Sequence, residues 1–235
     1  MTRSESYGSL AVVMPAYHAA LTVGKVVESV RCIVPDAVVI VVDDGSRDTT
    51  AECARTAGAT VVGHARNEGK GRALALGMQE ALTRPETRVV VTMDADGQHP
   101  PEEIPRLIAP LDGNFDLVVG ARDRDPGVMP FGRRCTNWLS STLVSRITGV
   151  PVPDSQSGFR AMTRAVAAAV RPSGARYEFE TEFLLAAAEA GFRIGAVPIP
   201  VVYEGAPSHF RYVADTMRLS RVFLGRWRQI VSPHP

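Results

Sequence analysis

The feature that most constrains the fold of this chain is an alternation between short runs rich in Val and Ile and longer segments of helical periodicity. This pattern is typical of βαβ units, in which helices cover a largely parallel sheet. The predicted strands are Leu10–Met14, Ala37–Val42, Thr60–Gly63, Arg88–Met93 and Phe115–Gly120. The predicted helices are Leu21–Val34, Arg47–Ala57, Lys70–Thr83 and Glu102–Leu111. The sequence therefore predicts an α/β fold with a mostly parallel central sheet flanked by helices.

The regular alternation stops after Ala121. The stretch that follows, Arg122–Pro130, is charged and rich in Gly and Pro, which predicts a loop. The remaining expectations are a helix at about Arg133–Thr148, the segment Pro151–Met162, a helix near Glu180–Ala190, a strand Arg193–Val201 and a helix at about Phe210–Arg228.

Length and composition favour one domain. A chain of 235 residues suits a single large α/β domain, and 45% apolar residues with a net charge of +1 argue against a disordered chain and a nucleic-acid partner. We predict a flexible N-terminus (residues 1–9), the domain itself (residues 10–205) and a C-terminal amphipathic helix with a tail (residues 206–235). No run approaches the ~18 apolar residues that span a bilayer. Three well-separated cysteines indicate a reduced, cytoplasmic compartment.

Residues that follow a strand are the first candidates for a site, because ligands of open parallel sheets bind beyond the carboxyl ends of the strands. The second predicted strand is followed by Asp43, Asp44, Gly45 and Ser46, which are two carboxylates and a tight turn. A solvated turn in which Ser46 caps the next helix explains this motif alone about as well.

A second pair of carboxylates, Asp94 and Asp96, follows the fourth predicted strand and enters a Gly turn. Two carboxylates at this spacing can place hard oxygen ligands on a divalent ion that also bridges a diphosphate. A polar loop without a metal is the alternative interpretation.

Five motifs now stand in one order along the chain. They are Pro15-Ala16-Tyr17, Val42-Asp43-Asp44-Gly45-Ser46, Asn67-Glu68-Gly69-Lys70-Gly71, Asp94-Ala95-Asp96-Gly97-Gln98-His99 and Gln156-Ser157-Gly158-Phe159-Arg160. Over about residues 10–205 this set resembles the family 2 glycosyltransferases, specifically the branch around dolichyl-phosphate mannose synthase. The resemblance implies a GT-A fold, a Mg²⁺ or Mn²⁺ requirement and inversion at the anomeric carbon.

The resemblance also implies roles at the donor site. Asp43 and Asp44 would hold the base and ribose of a nucleotide sugar, Asp94 would face the ribose or the sugar, and Asp96, helped by Gln98, would bind the metal. The glycine-rich Asn67–Gly71 stretch would let backbone approach the nucleotide, although Lys70 could equally be an ordinary surface residue of a first helical turn. His99 is a possible ligand, but shaping the loop before Pro100 and Pro101 is the favoured role. The implied donor-binding residues are Pro15, Tyr17, Asp43, Asp44, Gly45, Ser46, Asn67, Lys70, Gly71, Asp94 and Ala95. The implied metal ligands are Asp96, Gln98 and Asp94.

The first motif departs from the family pattern. Related sequences continue with Asn-Glu, whereas this chain has His18-Ala19, so a carboxylate expected near the nucleotide base is missing. The base therefore stays open between guanine and uracil, and the donor between GDP-mannose, UDP-glucose and UDP-N-acetylglucosamine.

Arginines near the fifth predicted strand are candidates for binding an anionic acceptor. Guanidinium groups suit phosphate oxygens, and a helix start adds its own attraction for anions. In the synthases that this chain resembles, an arginine after strand five and another near the next helix meet the lipid phosphate. The predicted acceptor-binding residues are Arg122, Arg133, Arg134, Asn137, Ser157 and Arg160. A solvated basic face is the alternative.

These motifs predict transfer of a hexosyl group to a dolichyl or undecaprenyl phosphate, with Asp96, Arg122 and Asp154 as the catalytic residues. A phosphate is already ionised near neutral pH and needs no strong base. The alternative is a soluble family 2 enzyme with a hydroxyl acceptor, which would need a base, and Asp154 is the candidate. A third possibility, a nucleotide-sugar-binding protein without activity, is disfavoured because the four aspartates of the motifs are present.

The last predicted helix has an apolar and a basic face. The apolar residues are Phe210, Val213, Met217, Leu224 and Trp227, and the basic residues are Arg211, Arg218, Arg221 and Arg228. Such a helix could lie at the inner face of the membrane or pack on the domain, so peripheral membrane association stays open. Glu178, Glu180 and Glu182 surround another helix start, where capping and the helix dipole explain at least one of them.

Overall fold

The strands predicted from the sequence meet in one sheet. The computed structural model describes residues 9–122, 131–172, 174 and 178–200, with the backbone alone for residues 131–135. Seven strands form the sheet, in the spatial order β3-β2-β1-β4-β6-β5-β7. They are β1 (Ser9–Ala16), β2 (Val38–Asp43), β3 (Thr60–Gly63), β4 (Thr87–Thr92), β5 (Leu117–Arg122), β6 (Arg160–Thr163) and β7 (Ile194–Ile199).

The helices connect these strands and cover the sheet. They are α1 (Val23–Ile33), α2 (Thr50–Thr56), α3 (Lys70–Leu82), α4 (Ile104–Ile108), α5 (Phe131–Thr148), α6 (Arg164–Ala169) and α7 (Glu178–Glu189). Short 3₁₀ turns, Pro101–Glu103 and Ala109–Leu111, flank α4. Within the part of the chain that the structure describes, no helix combines the length and the apolar character needed to cross a bilayer.

The sheet is mostly parallel, and β6 is the exception. It runs antiparallel to both of its neighbours, β4 and β5, while the pairs β1–β2, β1–β4, β2–β3 and β5–β7 are parallel. An antiparallel strand begins where its parallel neighbours end. The first residue of β6, Arg160, therefore lies at the same edge of the sheet as the last residue of β5, Arg122.

Apolar side chains fill both faces of the sheet. In β1, Val12 and Met14 belong to the core under α1 and α4, whereas Val13 belongs to the core under α3 and α7. Side chains alternate between the two faces of a strand, so a strand buried on both faces is an uninterrupted apolar run. This double burial explains why the strands were recognisable in the sequence.

The predicted strands are confirmed to within two residues at each end, and three other expectations change. The helix predicted at Arg47–Ala57 begins only at Thr50. The helix predicted at Glu102–Leu111 is divided into two 3₁₀ turns and one α-helical turn, in a stretch that contains Pro105 and Pro110. The segment Pro151–Met162 leads into β6, a strand that the sequence pattern did not predict.

Some expectations lie outside the described residues. These are the N-terminal residues 1–8, most of the loop predicted at Arg122–Pro130, the side chains of Arg133 and Arg134, and the predicted amphipathic helix Phe210–Arg228.

Candidate active site

The carboxyl ends of β1, β2, β4 and β5 bring three of the five motifs, together with Arg122, to one edge of the sheet. Tyr17 follows β1 and is 45% exposed, Asp43 ends β2, Asp94 follows β4 and Arg122 ends β5. The Gln156–Arg160 motif joins them from the opposite direction, because it leads into the antiparallel β6. The edge thus collects carboxylates on one side and a guanidinium on the other.

The turn after β2 is built by its own polar groups. Ser46 N–H donates to Asp43 Oδ1 (3.0 Å), and Ser46 Oγ accepts from His18 N–H (2.9 Å). Gly45 has a φ of +75°, and a Cβ there would lie 2.5 Å from the backbone carbonyl carbon of Arg66. Ser46 therefore ties the turn to the residues after Tyr17, and the interpretation of Ser46 as the cap of α2 is wrong, because that helix begins after Thr49.

Asp44 is buried and supports the Asn67–Gly71 turn. Its Oδ1 accepts from Glu68 N–H (2.9 Å) and lies 2.8 Å from His64 Nδ1, while its Oδ2 accepts from Gly69 N–H (2.8 Å). A carboxylate with this many partners is an anchor for the turn. Its predicted contact with the nucleotide stays a prediction.

Lys70 lies between two carboxylates from distant parts of the chain. Its Nζ is 2.7 Å from Asp94 Oδ1 and 3.0 Å from Glu180 Oε1. Burial opposes the charge of both Lys70 and Asp94, but their attraction prevails: the pKa of Lys70 is raised, and the pKa of Asp94 is lowered to about 2. Lys70 is therefore held by two ion pairs at the sheet edge and is not an ordinary surface residue of a first helical turn, while its donor-binding role stays a prediction.

Asp96 presents the carboxylate most suited to a metal. The residue is exposed, and its Oδ1 accepts one hydrogen bond, from Gln98 N–H (2.9 Å), in the turn that Gly97 makes with a φ of +81°. Although the residue as a whole is exposed, partial loss of water around its carboxyl group, together with the negative charge of Asp94, raises its pKa, so a nearby cation would be favourable.

The oxygen ligands offered here fit a hard divalent ion that would also be coordinated by a bound phosphate group. Asp94, Asp96 and Gln98 offer oxygen atoms, which Mg²⁺ and Mn²⁺ prefer. Among the described residues no three His, Cys, Asp or Glu side chains converge as a closed metal site. An ion held here would take its remaining ligands from phosphate oxygens and water.

His99 shapes the turn after Asp96. The residue is buried, its Nδ1 accepts from Asp94 N–H (3.3 Å), and its ring stacks on Phe159 with centroids 5.2 Å apart. Burial lowers the pKa of His99 to about 4, so the ring is neutral at physiological pH. These contacts agree with the predicted role in the loop.

Arg122 and Asp154 form a two-pronged ion pair. Arg122 Nε donates to Asp154 Oδ2 (2.6 Å) and Arg122 Nη2 to Asp154 Oδ1 (3.0 Å). Asp154 also accepts from the backbone N–H groups of Arg122 and Gln156 and from Asn137 Nδ2 (3.0 Å). Burial would raise the pKa of Asp154, but Arg122 keeps it below its ordinary value.

Three predicted acceptor-binding residues lie in the interior. Asn137 donates to Asp154 and accepts from Ser141 Oγ, and Ser157 Oγ accepts from Phe159 N–H. The Nε, Nη1 and Nη2 atoms of Arg160 donate to the carbonyl oxygens of Ser157, Glu180 and Ser155, respectively. All three residues are at most 3% exposed, so these contacts are structural, and their acceptor roles stay predictions.

The contribution of Glu180 is not evident from the sequence. There it is one of three acidic residues at a helix start, whereas the structure pairs it with Lys70 at the sheet edge. The local sequence pattern is a weak guide here. Glu180 lies between Phe179 and Thr181 in a helix rich in apolar residues, so the sequence does not show which face of the helix is buried.

Comparison with known proteins agrees with this geometry. Residues 11–171 match the family described as glycosyl transferase family 2. Dolichyl-phosphate hexose transferase of Haloferax volcanii is 30% identical over 83% of both chains. Undecaprenyl-phosphate mannosyltransferase of Micrococcus luteus is 32% identical, covering 81% of this chain and 82% of the relative.

The fold is also found among solved structures. Glucosyl-3-phosphoglycerate synthase from Mycobacterium tuberculosis, solved with Mn²⁺, UDP and glucosyl-3-phosphoglycerate, superposes with a TM-score of 0.71 at 23% identity. The match covers 93% of this chain and 78% of the synthase. The chain therefore has a GT-A fold and belongs to glycosyl transferase family 2, as a glycosyltransferase of the dolichyl-phosphate mannose synthase-like branch.

Proposed function

We propose that this enzyme transfers a hexosyl group, with inversion, from a nucleotide sugar to a polyprenyl phosphate. An oxygen of the acceptor phosphate forms the new bond to the anomeric carbon, and the bond from that carbon to the nucleoside diphosphate breaks. The donor is GDP-mannose, UDP-glucose or UDP-N-acetylglucosamine.

The observation that carries the proposal is the Arg122 guanidinium at the tip of β5. Asp154 fixes it through two parallel hydrogen bonds, and the guanidinium is near enough to Asp94 to lower the pKa of that carboxyl. Its charge therefore acts on the donor carboxylates from the tip of β5. A fixed guanidinium beside the donor suits an acceptor that carries a phosphate.

The donor side supports a divalent metal. Asp96, Asp94 and Gln98 would hold Mg²⁺ or Mn²⁺, and the bound ion would stabilise negative charge on the leaving diphosphate. The similar synthase was solved with Mn²⁺ and UDP, and the two curated relatives are named for dolichyl and undecaprenyl phosphate acceptors. The ligands of the synthase support the metal-dependent nucleotide donor, and the names of the two relatives support the polyprenyl phosphate acceptor.

A hydroxyl acceptor is the alternative, and the environment of Asp154 argues against it. Attack by a hydroxyl needs a base that can accept its proton. The Asp154 carboxylate is buried, its pKa is lowered, and both oxygens already accept hydrogen bonds from Arg122. We assign Asp154 to positioning Arg122.

The test is a transfer assay that crosses the three donors with two acceptors, a short polyprenyl phosphate and the matching polyprenol. We expect product with one donor, with the phosphate alone, and in the presence of Mn²⁺ or Mg²⁺. EDTA should abolish transfer, and added metal should restore it.

Two outcomes would contradict the proposal. Full activity in excess EDTA would exclude the metal-dependent donor site. Transfer to the polyprenol or to a soluble hydroxyl compound, with none to the phosphate, would instead favour the alternative acceptor class.

A further inference from the structure

Glu180 is a buried carboxylate that the proposed reaction does not yet use. It lies in the first turn of α7 and is 2% exposed. Among the described residues its carboxylate forms one ion pair, with Lys70 Nζ at 3.0 Å. This contact joins the beginning of α7 to the beginning of α3.

A buried ion pair is a poor means of stabilising a fold. Removing two charges from water costs several kcal/mol per ion, and apolar residues of similar volume often stabilise a protein as well or better. Apart from Glu180 and Thr181, the buried side chains of α7 are apolar. Arg160 attracts Glu180 electrostatically, but its guanidinium donates to backbone carbonyl oxygens and not to this carboxylate, so the contact with Lys70 makes a role at the site the better explanation of the charge.

The two carboxylates that hold Lys70 differ in their access to a ligand. The Asp94 side chain is 28% exposed at the strand tip, whereas the Glu180 side chain is 3% exposed. A bound donor or metal can draw Asp94 away from Lys70. Glu180 cannot be reached in this way and stays with the ammonium.

On one side, the Lys70 ammonium faces the backbone of Gly158, where a Cβ would lie 2.8 Å from Lys70 Nζ and 3.1 Å from Asp94 Oδ1. Backbone approaches the lysine this closely because the residue is glycine. When Asp94 turns to a ligand, Glu180 is the remaining described carboxylate that fixes the position of Lys70.

We propose that Glu180 is a positioning residue, which holds the Lys70 ammonium at the donor edge so that it pairs with the diphosphate of the donor. This inference rests on the proposed function. It predicts a change in nucleotide affinity of the opposite sign to the one expected from net charge alone. Neutralising Glu180 removes a negative charge and should by itself favour an anionic ligand, whereas loss of positioning should weaken binding.

The experiment measures binding of UDP and GDP in the presence of Mn²⁺ by calorimetry. We expect Glu180→Gln to weaken binding of the preferred nucleotide by about tenfold. This loss is at the lower end of what removal of one charge-assisted hydrogen bond costs in affinity. Glu180→Asp keeps the charge and should recover part of this loss. Glu189→Gln neutralises an exposed carboxylate at the other end of α7 and should bind as the wild type does.

A double-mutant cycle separates positioning from general damage. In a Lys70→Met background, Glu180→Gln should have no further effect on binding, because the residue acts through the lysine. If Glu180→Gln alone does not fold because it leaves a buried ammonium unpaired, the double variant, which removes both charges, should still fold and bind as Lys70→Met does.

Three results would overturn the inference. They are unchanged or tighter binding in Glu180→Gln, equal losses in the two backgrounds, and wild-type-like binding in Lys70→Met. If the wild type bound neither nucleotide with Mn²⁺, the proposed function itself would fail, and this inference with it.

Discussion

The two halves of the sheet edge use polar side chains in opposite ways. In the first half, built on β1, β2 and β4, Tyr17 and Asp96 are exposed at strand tips and carry few protein contacts. In the second half, built on β5 and β6, Asp154 and Arg160 are buried and their polar atoms are occupied by the protein. Asp44 of the first half is buried as well and anchors the Asn67–Gly71 turn, so the contrast concerns the strand-tip groups: Tyr17 and Asp96 are open to a ligand, whereas Asp154 and Arg160 hold other groups in place.

The largest expected effect falls on stability and concerns the second half. Arg160→Met should lower the free energy of unfolding by about 3–5 kcal/mol, because it leaves three buried carbonyl oxygens and nearby carboxylates without their cation. Burial lowers the pKa of Arg160 to about 10, which still leaves it charged at neutral pH. Urea unfolding followed by circular dichroism measures the loss.

Arg164→Met is the matched control. Arg164 also donates to three carbonyl oxygens, those of Leu82, Arg84 and Thr87, but it is only partly buried. Water can replace its hydrogen bonds, so we expect a loss of about 1 kcal/mol. Equal losses in the two variants would mean that the burial of Arg160 does not determine the cost of removing it.

The next effect falls on activity and concerns the first half. Asp96→Ala should reduce turnover by about 10²-fold or more, the typical cost of losing a main charge-stabilising group. The free energy of unfolding should change by less than about 0.5 kcal/mol, because the residue is exposed. Steady-state kinetics at saturating Mn²⁺ and urea unfolding give the two numbers.

Asp36→Ala, an exposed carboxylate between α1 and β2, is the control and should change neither quantity. An Asp96→Ala enzyme that retained more than about a tenth of the wild-type rate would not be compatible with the metal-ligand role.

The smallest effect is a pH dependence that belongs to the second half. The pKa of Asp154 is lowered in the folded state, so its ion pair with Arg122 stabilises the fold above the ordinary Asp value of ~3.9. That stabilisation fades as the pH falls through the lowered folded value. Asp154→Asn should cost about 1.5–3 kcal/mol at pH 6, and less at pH 3.

Urea unfolding of both proteins at the two pH values measures this difference. The wild type should lose more stability on acidification than Asp154→Asn does. Parallel losses would mean that the Asp154 carboxylate does not gain its stability from Arg122.

The sequence predicted the first half better than the second for a physical reason. Strands β1, β2 and β4 of the first half, and β5 of the second, are buried on both faces, so their Val and Ile runs are visible without any knowledge of the fold. Strand β6 has only the residues Arg160, Ala161, Met162 and Thr163, and a buried arginine opens it. Arg160 donates to carbonyl oxygens of Ser155 and Ser157, directly before the strand, and of Glu180 in α7, and no alternating apolar pattern marks these four residues as a strand.

The site follows the same division. The carboxylates of Asp43, Asp94 and Asp96 were recognisable because each follows an apolar strand and precedes a glycine turn. The ion pair of Glu180 with Lys70 could not be recognised in the sequence, because it joins positions far apart in the chain. The pairing of Arg122 with Asp154 likewise depends on how α5 and the residues before β6 pack together.

The position of β6 between β4 and β5 also sets the order in which the sheet can be completed. Strand β5 has two neighbours, β6 and β7, and both are later in the chain. On a ribosome, β1 to β4 could pair as they emerge, but Leu117–Arg122 must wait until synthesis has passed Thr163 before any strand can accept its hydrogen bonds. Until then its backbone amides and carbonyls are exposed, and this stretch is where the nascent chain most needs protection from pairing with another molecule.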